Sequence, residues 1–208
     1  MTAAWNFKLT LIRGNLERPK TILDVGANIS QMTKLLLLSA AADARVISFE
    51  PNRCLQPLGE KVEIALSDKD GTADFVIPAH DDDWGTINAL KDVAGDMRQG
   101  YKVRQARLQT LIEKGEVPWA QLPKPILMKI DTEGSEKKVL DGTGKYLHDV
   151  KYVLIEVENA EERGANYNMT DICCVLREYG FDRMRILYSC YDGPEAPAYS
   201  DVLFWKEG

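Results

Sequence analysis

The chain has 208 residues, a formal net charge of −6 and a sequence pI near 5.1. That length fits one domain with a full core. The acidic balance, with no long basic run, argues against a broad nucleic-acid footprint, and the longest apolar run, around Leu35 to Ala42, is far short of a membrane span.

In chain order, Trp5 to Ile12 reads as a short N-terminal helix within an arm covering residues 1–19, broken from Gly14 to Pro19. Thr21 to Val25 is a buried strand that ends at Gly26. Ser30 to Ala42 reads as a helix, with Ser30 as N-cap and Met32, Leu35, Leu36 and Leu38 as its apolar stripe. Arg45 to Phe49 is a second strand, ending in Glu50, and Val62 to Ala65 a third. Asp68-Lys69-Asp70-Gly71 is a turn signal, after which Thr72 to Ile77 alternates as a hairpin strand does. Residues 78–100 form a polar inserted loop with His80-Asp81-Asp82-Asp83-Trp84. A loop of that length in a compact domain is usually functional or mobile. Tyr101 to Ala106 is extended and Leu108 to Ile112 a short helix.

Ile126 to Ile130 is a buried strand, bounded by Pro125 and followed at once by Asp131. Glu133 and Glu136 then fall in the first turn of a helix from Ser135 to Leu147, with breaks expected at Gly142 and Gly144. His148 follows that helix and complements its dipole. Tyr152 to Ile155 is a strand ending at Glu156. Met169 to Tyr179 is a helix capped by Thr170 or Asn168 and stopped at Gly180. Arg183 to Leu187 and Val202 to Trp205 close the fold, joined by a loop with Gly193, Pro194 and Pro197. Strands alternating with helices imply a mostly parallel sheet covered on both faces. Cys54, Cys173, Cys174 and Cys190 contain no C-x-x-C pair and read as reduced core thiols; with no secretory signal, the expected location is cytoplasmic.

Ligands of open parallel sheets sit outside the carboxyl ends of the strands. Four of these strands end in or beside a carboxylate: Asp24, Glu50, Asp131 and Glu156. Asp131 fits two roles, a helix cap and a functional carboxylate. The turn Asp24-Val25-Gly26-Ala27-Asn28-Ile29-Ser30 has a glycine only at the first place of the dinucleotide fingerprint. It therefore serves a pyrophosphate poorly and a nucleoside without phosphates well. Glu50, at the next strand tip, stands where a carboxylate accepts from ribose hydroxyls. S-adenosyl-L-methionine meets these demands, and its sulfonium suits a pocket rimmed by Asp24, Glu50 and Asp131.

Four blocks resemble the FkbM-type methyltransferases: Ile22-Leu23-Asp24-Val25-Gly26-Ala27-Asn28; Phe49-Glu50-Pro51-Asn52; Ala65-Leu66-Ser67-Asp68 with Gly71; and Lys129-Ile130-Asp131-Thr132-Glu133-Gly134-Ser135-Glu136 with Val139-Leu140 and Gly142. Leu154-Ile155-Glu156-Val157 and Ser200-Asp201-Val202-Leu203-Phe204 extend the likeness, which runs from about Thr21 to Trp205. The resemblance implies a single domain over residues 1–208 with the class I methyltransferase (Rossmann-like) α/β fold. Its sheet is mostly parallel and seven-stranded, with an antiparallel C-terminal strand. It implies S-adenosyl-L-methionine as cofactor, held by Asp24, Gly26, Ala27, Asn28, Glu50, Pro51, Asn52, Leu66, Ser67 and Asp131, with Ser67 near the adenine. It also implies O-methylation of a small-molecule hydroxyl, on a sugar or natural product. The chain departs from the family pattern at Ser30, where Gly is usual, and at Leu108-Gln109-Thr110-Leu111, where Leu-Asp-x-Leu is usual.

Methyl transfer to oxygen needs positioning and a base near the acceptor hydroxyl. Asp131 is the first candidate, with Glu133 or Glu156 as helper; His80 is the alternative, beside Trp84 on the long loop. Asp131 and Glu156 on adjacent tips suit Mg²⁺, but two carboxylates at strand ends are not a metal signature and no metal is assigned. Trp84, Trp119 and Tyr191 are candidates for an acceptor pocket, each equally suited to packing. An RNA 2′-O-methyltransferase is the second reading, and a non-catalytic cofactor-binding module the third. The RNA enzyme needs a basic groove and a lysine beside the reacting hydroxyl; Lys129 is expected to point away from Asp131, to the other side of its strand.

Overall fold

The computed structural model describes residues 3–77, 85, 87, 100–158, 167–191 and 197–207. Its main sheet has seven strands: β1 (Thr21–Val25), β2 (Arg45–Phe49), β3 (Glu60–Val62), β7 (Ile126–Ile130), β8 (Val150–Glu158), β9 (Arg183–Cys190) and β10 (Tyr199–Trp205), in the order β3-β2-β1-β7-β8-β10-β9. The first five run parallel, whereas β10 is antiparallel to both β8 and β9. The order reverses between β1 and β7, which opens a crevice at their carboxyl ends. A second sheet, β4-β6-β5, joins β4 (Ala65–Leu66), β5 (Gly71–Phe75) and β6 (Tyr101–Ala106). The single third strand expected at Val62 to Ala65 is thus two strands in two sheets, parted at Glu63 and the fully buried Ile64.

Alternation along each strand sends neighbouring side chains to opposite layers. Leu23, Val25, Met128, Ile130, Val153 and Ile155 pack with helices α3 (Leu108–Glu113), α4 (Glu136–Thr143) and α5 (Met169–Glu178). Ile22, Leu127, Leu154 and Leu203 pack against Phe7 and Leu11 of α1 (Ala3–Arg13) and Leu36 of α2 (Gln31–Ser39). Short strands buried on both sides need this continuous apolar sequence, which is why they read so clearly.

Several local expectations change. Ser30 holds the N-cap position of α2, as expected, but its side chain makes no cap hydrogen bond: its φ of +57° lies in the left-handed region, and its hydroxyl accepts from the Leu58 N–H at 3.0 Å. That backbone favours glycine, the usual residue at this place. The α2 stripe is narrower than its sequence suggests, because Leu36 is buried while Leu38 is 85% exposed and Leu35 exposed. The helix that starts α4 stops at Thr143 and continues as a 3-10 turn over Gly144–Asp149. Asn168 is the cap of α5; it accepts from Thr170 N and Asp171 N, and Asp171 accepts from the Asn168 N–H. The cysteines are not core thiols: Cys54 and Cys174 are exposed, Cys173 and Cys190 partly so. Trp119 is core, stacked edge-on to Tyr146 with its indole donating to Asp149, while Tyr191 is exposed. His148 packs on the Tyr179 ring. His80, Trp84, most of the 78–100 loop and the Gly193 turn lie outside the described residues.

Candidate active site

The crevice between β1 and β7 holds a cleft of roughly 650 Å³ including its open mouth. One wall is the turn after β1. Gly26 (φ +68°) and Asn28 (φ +51°) both take left-handed backbone. A Cβ on Gly26 would lie 1.8 Å from the Asp131 carbonyl oxygen, so only glycine lets the two strand tips meet. The Glu50 carboxylate braces that turn from β2: Oε2 accepts the Asn28 N–H and Oε1 the Asn52 N–H, each at 2.7 Å. Burial raises the Glu50 pKa, opposed by those two amides and by Lys61 and Lys129. Each carboxylate oxygen still has a lone pair for a ligand hydroxyl.

The far wall is apolar. Phe49, Leu55, Ile64, Leu66, Phe75 and Ile87 form a slot of the kind a planar heterocycle fills. Sequence reasoning named only Leu66 among these. Their signal was weak, because each is an ordinary hydrophobe and its neighbours in space come from two sheets. Ser135, 1% exposed, lines the same cleft, and its hydroxyl has no hydrogen-bond partner among the described residues. A glycine cradle, a braced ribose-type carboxylate, an apolar slot and an orphaned hydroxyl together fit a nucleoside without phosphates.

Of the residues expected to hold the cofactor, Gly26, Asn28, Glu50, Pro51, Asn52, Leu66 and Asp131 line this cleft. Ala27, Asp24 and Ser67 are buried behind it. Asp24 has no exposed surface and meets the Lys129 ammonium at 3.3 Å; the Ser67 hydroxyl donates to Asp68. Asp24 is therefore paired within the fold and does not line the cleft.

The chemistry-bearing face follows from strand alternation. The layer that is apolar at Ile22, Leu127, Leu154 and Leu203 becomes charged two residues nearer the site, at Asp24, Lys129, Glu156 and Asp201; Asp131 follows Lys129 by the same step. Lys129 and Asp131 therefore share a side, contrary to the expectation, and their charges stand 3.3 Å apart. Glu156 faces Asp201 across the β8–β10 pair. Burial, then Asp131, Glu133, Asp201 and Glu136, push the Glu156 pKa up to about 10. Burial and Asp131 push Asp201 up to about 6, with Lys129 opposing.

Glu133 sits in the turn before α4, not in its first helical turn, and lines the cleft with a left-handed φ of +54°. Such backbone costs about 1–3 kcal/mol in a non-glycine residue and recurs at functional sites. Glu136 holds the turn together: Oε1 accepts from Thr132 N, Thr132 Oγ1 and Gly134 N, and Oε2 from the Tyr167 hydroxyl. Glu133, Glu156 and Glu158 each bring one carboxylate oxygen within 4.8 Å of the others.

The methyltransferase FkbM domain model matches residues 24–183. The hexuronic acid methyltransferase AglP of Haloferax volcanii is 27% identical over 162 residues, spanning 72% of this chain and 60% of that protein. Among solved structures, the plantazolicin methyltransferase BpumL in complex with SAH superposes with a TM-score of 0.48 at 11% identity, covering 99% of this chain and 83% of that one. The E. cuniculi Mtq2-Trm112 complex gives 0.46 at 12% identity, with 99% and 95% covered. Among the described residues, no helix is long and apolar enough to cross a membrane.

Proposed function

The chain belongs to the FkbM methyltransferase domain family, with S-adenosyl-L-methionine as its cofactor, and on that basis we propose that it transfers a methyl group to a hydroxyl oxygen of a small molecule, a sugar or natural product. The carrying observation is Asp131. Its side chain is 35% exposed at the cleft rim, on the shared lip between the glycine turn and the carboxylates of β8 and β10. The bound cofactor supplies an electrophilic methyl on a sulfonium. Gly26, Asn28 and Glu50 would hold its nucleoside and amino-acid parts, and Phe49, Ile64, Leu66 and Phe75 would receive its base. Fixing the two partners in line supplies up to about 7–11 kcal/mol of the barrier lowering.

Asp131 would take the acceptor's proton as the acceptor oxygen bonds the methyl carbon and the methyl carbon–sulfur bond breaks, leaving the neutral thioether. Burial and the carboxylates around it favour the protonated form of Glu156. Its carboxyl is therefore suited to donating a hydrogen bond to an acceptor oxygen, and Glu133, which lines the cleft, is the helper. The relative from Haloferax volcanii acts, by its name, on a hexuronic acid. That supports a sugar acceptor here.

The test pairs calorimetric titration of S-adenosylhomocysteine with a panel of neutral, amino and acidic sugars read for methyl ethers by mass spectrometry. Asp131→Asn is expected to keep cofactor-product affinity within about threefold while turnover falls on the order of 100-fold or more, the usual worth of a general base. Methyl found on nitrogen or carboxylate would overturn the oxygen assignment. Full turnover in Asp131→Asn would overturn the base.

A further inference from the structure

Lys129 is a charged residue in the middle of a fully buried strand, and only 6% of it is exposed. A lysine in such a place needs its three N–H groups satisfied. The ammonium donates to the Gly26 carbonyl oxygen at 3.1 Å and forms ion pairs with Asp24 Oδ1 and Asp131 Oδ2, each at 3.3 Å. Asp24 is its register partner on β1, so that contact is set by the sheet. The other two acceptors belong to the site itself. Gly26 is the turn that carries the cofactor, and Asp131 is the carboxylate read above as the base.

We infer that Lys129 is the positioning residue of this site, its ammonium tying the Gly26 carbonyl and the Asp131 carboxylate into one rigid unit and keeping that carboxylate aimed at the acceptor. This rests on the reading of Asp131 as base. Burial works against the ammonium, but the Asp131 and Asp24 carboxylates outweigh it and hold the Lys129 pKa above the ordinary range. The ammonium is therefore permanent, as a fixed countercharge must be.

Among the described residues, the other charged groups around this pair are acidic, namely Asp24 from β1, Glu50 from β2, Glu133 and Glu136 from the turn into α4, Glu156 from β8 and Asp201 from β10, save Lys61 of β3, which acts on Glu50. Lys129 is the positive charge that stands against Asp131 itself. Without it, seven carboxylates, Asp131 among them, would share one partly buried space, and like charges at such distances raise one another's pKa.

The plain alternative is that Lys129 only neutralises Asp24 in the core. Neither Asp24 oxygen has another hydrogen-bond partner among the described residues, so Lys129→Met alone strands a buried carboxylate and risks the fold. The comparison is therefore between Asp24→Asn and Asp24→Asn/Lys129→Met, both neutral at the Asp24 site. Each is first checked for a cooperative melt, and each is assayed with the acceptor that wild type methylates.

Relative to Asp24→Asn, the double variant is expected to lose about tenfold or more in kcat with a smaller change in S-adenosylhomocysteine affinity. The acidic limb of its kcat–pH profile should move up by about one unit, the usual effect of removing an opposite charge at this range. If Asp131→Asn is inactive and yet the two profiles coincide with equal kcat, Lys129 is structural and the inference fails alone. If Asp131→Asn is active, both the base and its positioning residue are overturned. A double variant that unfolds is replaced by Lys129→Arg, whose larger planar head cannot meet all three acceptors. Wild-type kcat and pH profile in that variant would equally overturn the role.

Discussion

Glu156 and Asp201 stand opposite one another on β8 and β10 with pKa values pushed up to about 10 and about 6. An unfolded glutamate or aspartate titrates near 4. The folded protein therefore binds more protons than the unfolded chain once the pH passes about 4, and the stability tied to these groups falls as the pH rises. It is fully present below the unfolded pKa. Asp201 gives up its share by about pH 6, whereas Glu156 goes on losing until about pH 10. Thermal melts between pH 5 and pH 8 should show a Tm that declines with pH. Glu156→Gln, which imitates the protonated form, should flatten that decline and melt higher than wild type at pH 8. A Tm in Glu156→Gln that stays parallel to wild type across the range would mean the Glu156 carboxylate ionises as freely in the fold as in water.

At the scale of elements, the cleft depends on how closely α4 approaches the second sheet. Gly142 makes that approach: a Cβ there would lie 1.9 Å from the Ser67 carbonyl oxygen and 3.4 Å from Arg107 Cα. Ser135 lies seven residues, two helical turns, before Gly142, so both face the β4 side. Gly142→Ala must push α4 away from β4, and overpacking of this kind costs about 1–3 kcal/mol. The expected result is a lower Tm together with weaker S-adenosylhomocysteine binding, because Leu66 and Ser135 both line the cleft. A lower Tm with unchanged affinity would show that the slot tolerates the shift.

The same scale explains what could be read in advance. Strands buried on both faces announce themselves, and the order of their terminal carboxylates gave the position of the site. The α2 stripe misled because four leucines in a row, Leu35 to Leu38, do not say which of them turns inward; only the packing of Leu36 under β1 does. The side of Lys129 was available from period-two alternation and was misassigned. The slot of Phe49, Ile64 and Phe75 was not available, because it is assembled from two sheets whose pairing leaves no local signature.

For the whole molecule, cofactor and fold should be thermodynamically coupled, since the cleft exists only when β1, β2, β4 and β7 are assembled. A ligand that binds only the folded state stabilises it by about 2.7 kcal/mol when present at 100 times its Kd. For a chain of this size each kcal/mol moves Tm by roughly 2–4 °C, so S-adenosylhomocysteine at that excess should raise it by about 5–10 °C. Glu50→Gln retains the shape but replaces a carboxylate that serves two backbone amides and, in the proposed site, would also serve a ribose. With charge-assisted bonds lost, affinity should fall on the order of 100-fold, and the same ligand concentration would then give a shift of only about 1 °C. The ligand-free Tm of the variant, read alongside, separates loss of the brace from loss of the ligand contact. A full shift in Glu50→Gln would remove the carboxylate from the nucleoside site, and no shift in wild type would mean that this cleft does not take the cofactor in the free chain.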